Sequence, residues 1–403
     1  MRSDRTLWAL VLVVAFGLAM AWWRAPASTP APGDTPDAAA ELSGVLGGAG
    51  DELAGFARVT GPRPFEFPRD HGAHPDHRSE WWYFTGNLTS TDGRAFGFQL
   101  TFFRFALAPE PVARPSDWAT RQVWMAHFAV TDIASGEHYE FERFQRGALG
   151  LAGAAQSPLR VWLDDWSMRS DAGRGLFPLR LQAQAGEVAI DLRLTARKPL
   201  VLQGDRGYSA KSDAPGNASH YYSYTRLAAE GVVRVPAGAA EVRGGAWLDR
   251  EWSTSALAED QAGWDWFSLQ LDDGRDLMVY RLRGRDGSTD PASAGVLVAP
   301  DGDVRRLGVN DFRLQPLEYW VSPVSGVRYP VAWRVQVPGT GLDLTVSARV
   351  DAQEMNTAFR YWEGAVRVTS RTGAGVTGLG YLEMTGYEAG TEQRGARPSG
   401  GGT

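Results

Sequence analysis

From Trp81 onward the chain is written in short alternating runs, each broken by turn-forming residues. Trp82 to Leu88 leads through Thr91-Asp-Gly93 into Ala95 to Phe105, and Trp124 to Asp132 leads through Ser135-Gly136 into His138 to Phe144. A period of two punctuated by Asp-Gly and Ser-Gly specifies antiparallel hairpins rather than helices. Runs of this length, repeated along the chain, give an all-β barrel or sandwich. The 403 residues suffice for two such domains with a sizeable core. Sixteen Trp, 12 Tyr, 17 Phe and 47 Gly suit twisted sheets and tight turns.

Two stretches share one layout. Trp81 to Leu88 runs through Asp92-Gly-Arg94 into Phe98 to Arg104, and Trp264 to Leu271 runs through Asp273-Gly-Arg275 into Leu277 to Arg281. Either a barrel is duplicated, its second copy opening near Gly263, or two ordinary hairpins coincide. The strand pattern lapses between Trp252 and Gln261, so the domains are expected at 61–255 and 256–390. A polar, Gly-rich tail follows over 391–403 and is expected to be disordered.

At the N-terminus Arg2 and Arg5 precede an uncharged run from Thr6 to Trp23, and Ala25-Pro-Ala27 offers small residues for cleavage. Residues 1–27 therefore read as a cleaved export signal or, second, as an uncleaved anchor. Either places the body outside the cytoplasm, with membrane attachment only through this segment if it is uncut. Residues 28–60, rich in Ala, Pro and Gly, read as a spacer. With no cysteine the chain has neither disulfides nor a lipoprotein anchor, so its core alone must hold it. The net charge of −6 gives no case for nucleic acid or an anionic surface. Of 41 basic residues only Lys198 and Lys211 are lysines, a skew that reads as coding bias.

Three groups of residues can carry chemistry. In Gly244-Gly-Ala-Trp-Leu-Asp-Arg-Glu-Trp252, strand alternation puts Trp247, Asp249 and Glu251 on one side and Arg250 on the other. His220, Tyr222 and Tyr224 share a face of the preceding strand. If those two faces line one cavity, Asp249 becomes a desolvated acid with His220 as its partner and Tyr222, Tyr224 and Trp247 as the pocket. Otherwise Asp249 belongs to a buried Asp–His or Asp–Arg pair that fixes register. Second, His71, His74 and His77 lie at three-residue spacing beside Asp70, Asp76 and Glu80. They either ligate zinc or iron or cap the first barrel. Gly72 and Pro75 interrupt any helix that would align them, so the cap is favoured and no metal is assigned. Third, Glu363 sits among aromatics in Tyr361-Trp-Glu-Gly-Ala-Val366, either paired with Arg334 or Arg360 or functional. No phosphate loop, serine elbow or cofactor motif is present, and no cofactor is expected.

The run Phe67-Pro-Arg-Asp-His-Gly-Ala-His-Pro-Asp-His-Arg-Ser-Glu-Trp-Trp-Tyr-Phe-Thr-Gly-Asn-Leu88 resembles the opening motif of the AttH and carotenoid 1,2-hydratase family. The resemblance continues in order through His127-Phe-Ala-Val-Thr-Asp132, His220 to Leu227, Trp247 to Ser253, Gly263 to Arg275, Tyr361 to Val366 and Gly380 to Tyr387. It implies two tandem lipocalin-like antiparallel β-barrels. In the hydratase branch it implies a carbon–carbon double bond protonated by an Asp that aligns with Asp249, with His220, Tyr222 and Trp247 as pocket. Within the opening motif it leaves His71, His74, Glu80 and Trp82 as structural loop residues. Many AttH-like relatives are exported and associated with ABC transporter permeases of the lipoprotein-release type. The expectation is therefore an exported protein that binds a hydrophobic, terpenoid or lipid-like ligand in its barrel mouths, possible transporter permeases being its partners. The alternative is a hydratase with Asp249 as general acid.

Overall fold

The structure, a computed structural model, describes residues 53–388 apart from 112–113, 173–174, 256 and 374. The export segment at 1–27 and the tail at 391–403 lie outside the described residues, as does the expected spacer up to residue 52. Leu53, Phe56 and Val59 are buried, and the Ala57 N–H donates to Asp76 O, so the last spacer residues pack on the body.

Apart from short 3-10 turns such as Arg69–His71, the described chain is strands and loops, and the strands form two antiparallel sheets. Thirteen strands between Ser79 and Ser253 make the first sheet, and ten between Gln261 and Thr385 make the second. The sheets are two lipocalin-like barrels in tandem. In each, the opening strand pairs with the closing one: Ser79–Ser90 with Gly238–Ser253, and Gln261–Leu271 with Thr377–Thr385.

The shared layout of the two hairpins reappears in space. Ser79–Ser90 turns through Gly93 (φ 87°) into Ala95–Ala106, and Gln261–Leu271 turns through Gly274 (φ 88°) into Asp276–Gly284. Glycine meets the positive φ without a Cβ clash. In each hairpin an acid near the start of one strand faces an arginine near the end of the other, Glu80 with Arg104 and Asp265 with Arg281. Both pairs point into their own barrel; Glu80, Arg104 and Asp265 are buried and Arg281 half-buried. Glu80 also accepts from Arg250 and from the His74 N–H, at 3.0 Å to each oxygen. Burial opposes the Glu80 carboxylate, yet Arg104 and Arg250 overcome it and hold its pKa well below the ordinary value.

Parity along the strands sorts the two faces. In the first sheet Trp82, Phe84, Phe98, Leu100, Phe102 and Leu248 point inward and fill the barrel. Each such side chain contributes about 2–3 kcal/mol of burial energy as an upper bound. Their odd-numbered neighbours, Tyr83, Tyr221 and Trp247, point outward and pack against Trp266, Tyr280 and Tyr381 of the second sheet. Ser79–Ser90 is thus covered on both faces, which explains its nearly unbroken aromatic run. The described strands of both sheets fall within one compact unit.

Candidate functional site

Where the outer faces of the two sheets meet, a cavity of about 830 Å³ opens, a volume that includes its mouth. Its position corrects the expectation of barrel mouths: the first barrel is filled by its own side chains, and the space lies between the sheets. Nine of its seventeen lining residues are aromatic, which gives it a largely apolar wall with a few polar groups.

Asp249 lies in this wall. The Gly238–Ser253 strand presents it opposite Tyr83 on one side and Ser223 on the other. Tyr221 Oη donates to Asp249 Oδ2 at 2.6 Å, while Trp247 Nε1 donates to Oδ1 at 2.7 Å and Ser223 Oγ donates to the same oxygen. Burial pushes the Asp249 pKa up to about 7, against the pull of the Ser223, Tyr221 and Trp247 hydrogen bonds. The carboxyl is therefore poised near neutral pH.

Glu251, two residues on, accepts from Ser219 Oγ and pairs with Lys211 Nζ at 2.9 Å. Burial disfavours the Lys211 ammonium, but Glu251, with Tyr280 and Asp249 adding, outweighs this and raises its pKa. The chain's only two lysines are both buried and ion-paired, Lys198 with Asp276 (2.8 Å) and Lys211 with Glu251. The coding-bias reading of the skew left this placement out: an ammonium is a compact point charge that fits where a guanidinium fork does not.

Across the cavity, Glu363 and Glu383 are direct cross-strand neighbours in the second sheet. Tyr83 Oη donates to Glu363 Oε1 at 2.7 Å, and Trp264 Nε1 to Glu383 Oε1 at 2.8 Å. Glu363 Oε2 is buried with no donor directed at it. Burial and the Glu383 charge push the Glu363 pKa well up. Burial also pushes Glu383, with Asp249 adding to the shift, to about 7. The expected ion pair of Glu363 with Arg334 or Arg360 does not form, since Arg334 bonds Asp343 at 2.6 Å and Arg360 approaches Glu354 at 3.8 Å.

His220, Tyr222 and Tyr224 do not meet Asp249. The register pairs His220 with Trp252, Tyr222 with Arg250 and Tyr224 with Leu248, so all three belong to the inward face. Their neighbours Tyr221 and Ser223 take the Asp249 side, because a one-residue change of register exchanges the faces of a strand. His220 packs against Phe65 and Trp252, and burial lowers its pKa to about 4. Tyr222 Oη is 2.7 Å from His71 Nδ1, and Tyr224 packs edge-on against Phe177. His74 stacks on Trp252 at 3.8 Å between centroids, and Trp82 Nε1 donates to His71 O. His71, His74, Glu80 and Trp82 thus tie the loop before the first strand to the barrel interior. Among the described residues no three of His, Cys, Asp and Glu are grouped as metal ligands.

Of the predicted residues Asp249 lines this cavity, with Trp247 behind it bonding its carboxyl, and Glu363 joins from the second sheet. Lys211, Tyr221, Glu251 and Glu383 were missed as a group. Glu383 was visible within Gly380-Tyr-Leu-Glu-Met-Thr-Gly-Tyr387, but nothing local ties it to Glu363.

Fold and cavity together define a lipocalin-like two-barrel protein with an aromatic-lined space between its sheets. The family model described as AttH-like matches residues 58–387, and the chain belongs to that family. No curated protein matches it. Among solved structures it is similar to a candidate AttH from Nitrosomonas europaea, with 36% identity and a TM-score of 0.74 over 83% of this chain and 100% of that one. It is also similar to kievitone hydratase from Nectria haematococca, with 14% identity and a TM-score of 0.62 over 83% and 96% of the two chains. At that identity the second likeness speaks for the fold.

Proposed function

We propose that this protein binds a hydrophobic small molecule, terpenoid or lipid-like, in the cavity between its sheets. The observation that carries this is an aromatic-lined space of about 830 Å³ beside barrel interiors already filled by side chains. Apolar wall area supplies the driving force and the few polar groups supply orientation. Native mass spectrometry of the protein purified from its own cells is expected to show a lipid-sized adduct. Leu282→Trp, which puts an indole into the cavity, is expected to lose it. Wild-type spectra that are repeatedly free of adduct would overturn the reading.

A second reading is favoured by the Asp249 carboxyl, held near half-protonation in that wall. Its proton transfers to one carbon of a ligand double bond. Water oxygen bonds to the resulting tertiary cation and releases a proton that restores the acid. The faces of the surrounding rings stabilise the cation. Acyclic isoprenoids incubated in heavy-oxygen water then yield a labelled tertiary alcohol. An unchanged labelling rate in Asp249→Asn removes Asp249 as the acid.

An exported location and a role in envelope lipid or lipoprotein traffic beside a transporter permease complete the proposal. Its support is the signal-like composition of residues 1–27.

A further inference from the structure

The buried acids outside the cavity are answered by basic side chains. Glu80 has Arg104 and Arg250, Asp265 has Arg281 and Arg283, Asp276 has Lys198 and Arg226, and Asp70 has Arg63. The cavity breaks this pattern. Four carboxyls line it, Asp249, Glu251, Glu363 and Glu383, against one basic side chain, Lys211, which is engaged by Glu251. In a chain this rich in arginine, three carboxyls, Asp249 and Glu363 buried and Glu383 half-buried, are left without an ion-pair partner.

Two further features point the same way. Glu363 and Glu383 face each other across adjacent strands, where two charges would repel, so without a cation between them the pair holds a proton. Glu363 Oε2 is buried with no N–H or hydroxyl donor on it, and the Glu363 carboxyl meets the Glu383 carboxyl in a hydrogen bond that requires a proton shared between them. Around this gap stand Trp81, Trp264, Trp266 and Phe103, whose ring faces are electronegative. Rings and unmatched carboxyls together favour a weakly hydrated organic cation over an anion or a hydrated metal ion.

We propose that the cavity takes an amphiphilic organic cation, an apolar chain carrying an ammonium-type head whose charge sits between Asp249 and the Glu363–Glu383 pair. This rests on the cavity being a ligand site and names the class of its occupant. The ligand supplies the charge that the chain withholds. The same surroundings stabilise the cation formed when an alkene is protonated, so a stable ammonium imitates that intermediate.

The groups that face the charge are Asp249, Glu251 and Lys211 on the first-sheet side, and Glu363 and Glu383 on the second. The phenols Tyr83, Tyr221, Tyr280 and Tyr361 complete the titratable wall. Cation binding competes with protons for the carboxyls and weakens as pH falls.

The test titrates the whole protein, followed by tryptophan fluorescence, with dodecyltrimethylammonium, dodecanol and dodecanoate, each below its micellar concentration. At about pH 8 the ammonium is expected to bind about tenfold tighter than the alcohol, and the carboxylate weakest. The advantage shrinks at about pH 5.5, where the carboxyls hold protons. The Glu363→Gln/Glu383→Gln double variant loses it. Equal binding of alcohol and ammonium, or tightest binding of the carboxylate, overturns the cation assignment and leaves the hydrophobic-ligand reading standing. An ammonium preference that persists in the double variant places the cation elsewhere and also overturns it. If none of the three binds, both readings fall.

Discussion

Replacing Asp249 with Asn tests whether this carboxyl is a strained acid or an ordinary buried anion. Folding raises its pKa from 3.8 to about 7 through burial. A carboxyl whose folded pKa is raised leaves folding unpenalised below the unfolded pKa and opposes it increasingly as pH rises to the folded one. Integrating over those two values, the penalty grows by about 2–3 kcal/mol between about pH 5 and about pH 8, then levels off. Asn keeps the shape, and its Oδ1 still accepts from Ser223 and Trp247, but it carries no ionisation. Urea denaturation of both proteins at pH steps across this range gives the stability difference directly. The expected result is a variant that gains on the wild type as pH rises, by about 2–3 kcal/mol in total. A difference constant with pH would refute the reasoning, because it would mean that the donors, not burial, set the ionisation of Asp249.

Glu80→Gln should cost about 3–5 kcal/mol, since it leaves Arg104 and Arg250 buried without their anion. Because the folded Glu80 pKa lies below its unfolded value, its stabilisation is present above about pH 4.5 and fades as pH falls, so the variant should also flatten the acid limb of stability. Infrared titration of the Asp249 carboxyl should keep its midpoint in His220→Ala, whose side chain faces the other side of the sheet, and move it upward in Tyr221→Phe, which removes a donor to the carboxylate. Residues 1–27 fused to a reporter active only outside the cytoplasm should give activity, and an inactive fusion would sink the export proposal.

Much of the fold could be read along the chain because the deciding signals are local. Strand alternation and Asp-Gly turns read as an all-β barrel or sandwich, the matching hairpins left duplication or coincidence open, and the family resemblance implied two tandem barrels; Glu80 with Arg104 and Asp265 with Arg281 show the match in atomic detail. The candidate site was half legible. Trp247, Asp249 and Glu251 share a face by the period of the strand alone, but choosing the partner strand's face needed the register. His220, Tyr222 and Tyr224 were placed with Asp249 where the structure has Tyr221 and Ser223.

The sequence by itself determined what depends on neighbouring residues: strands, turns, two hairpins of like layout, a cysteine-free core and the side on which Asp249 stands. Only the tertiary structure decided that each barrel fills its own interior and that the cavity lies between the sheets. It alone brought Glu363 and Glu383 of one sheet before Asp249 of the other. The face that meets Asp249 was set by a register shift between Tyr224 and Leu227, and the packing of one sheet's outer face on the other's joins residues more than a hundred positions apart; no local pattern encodes either.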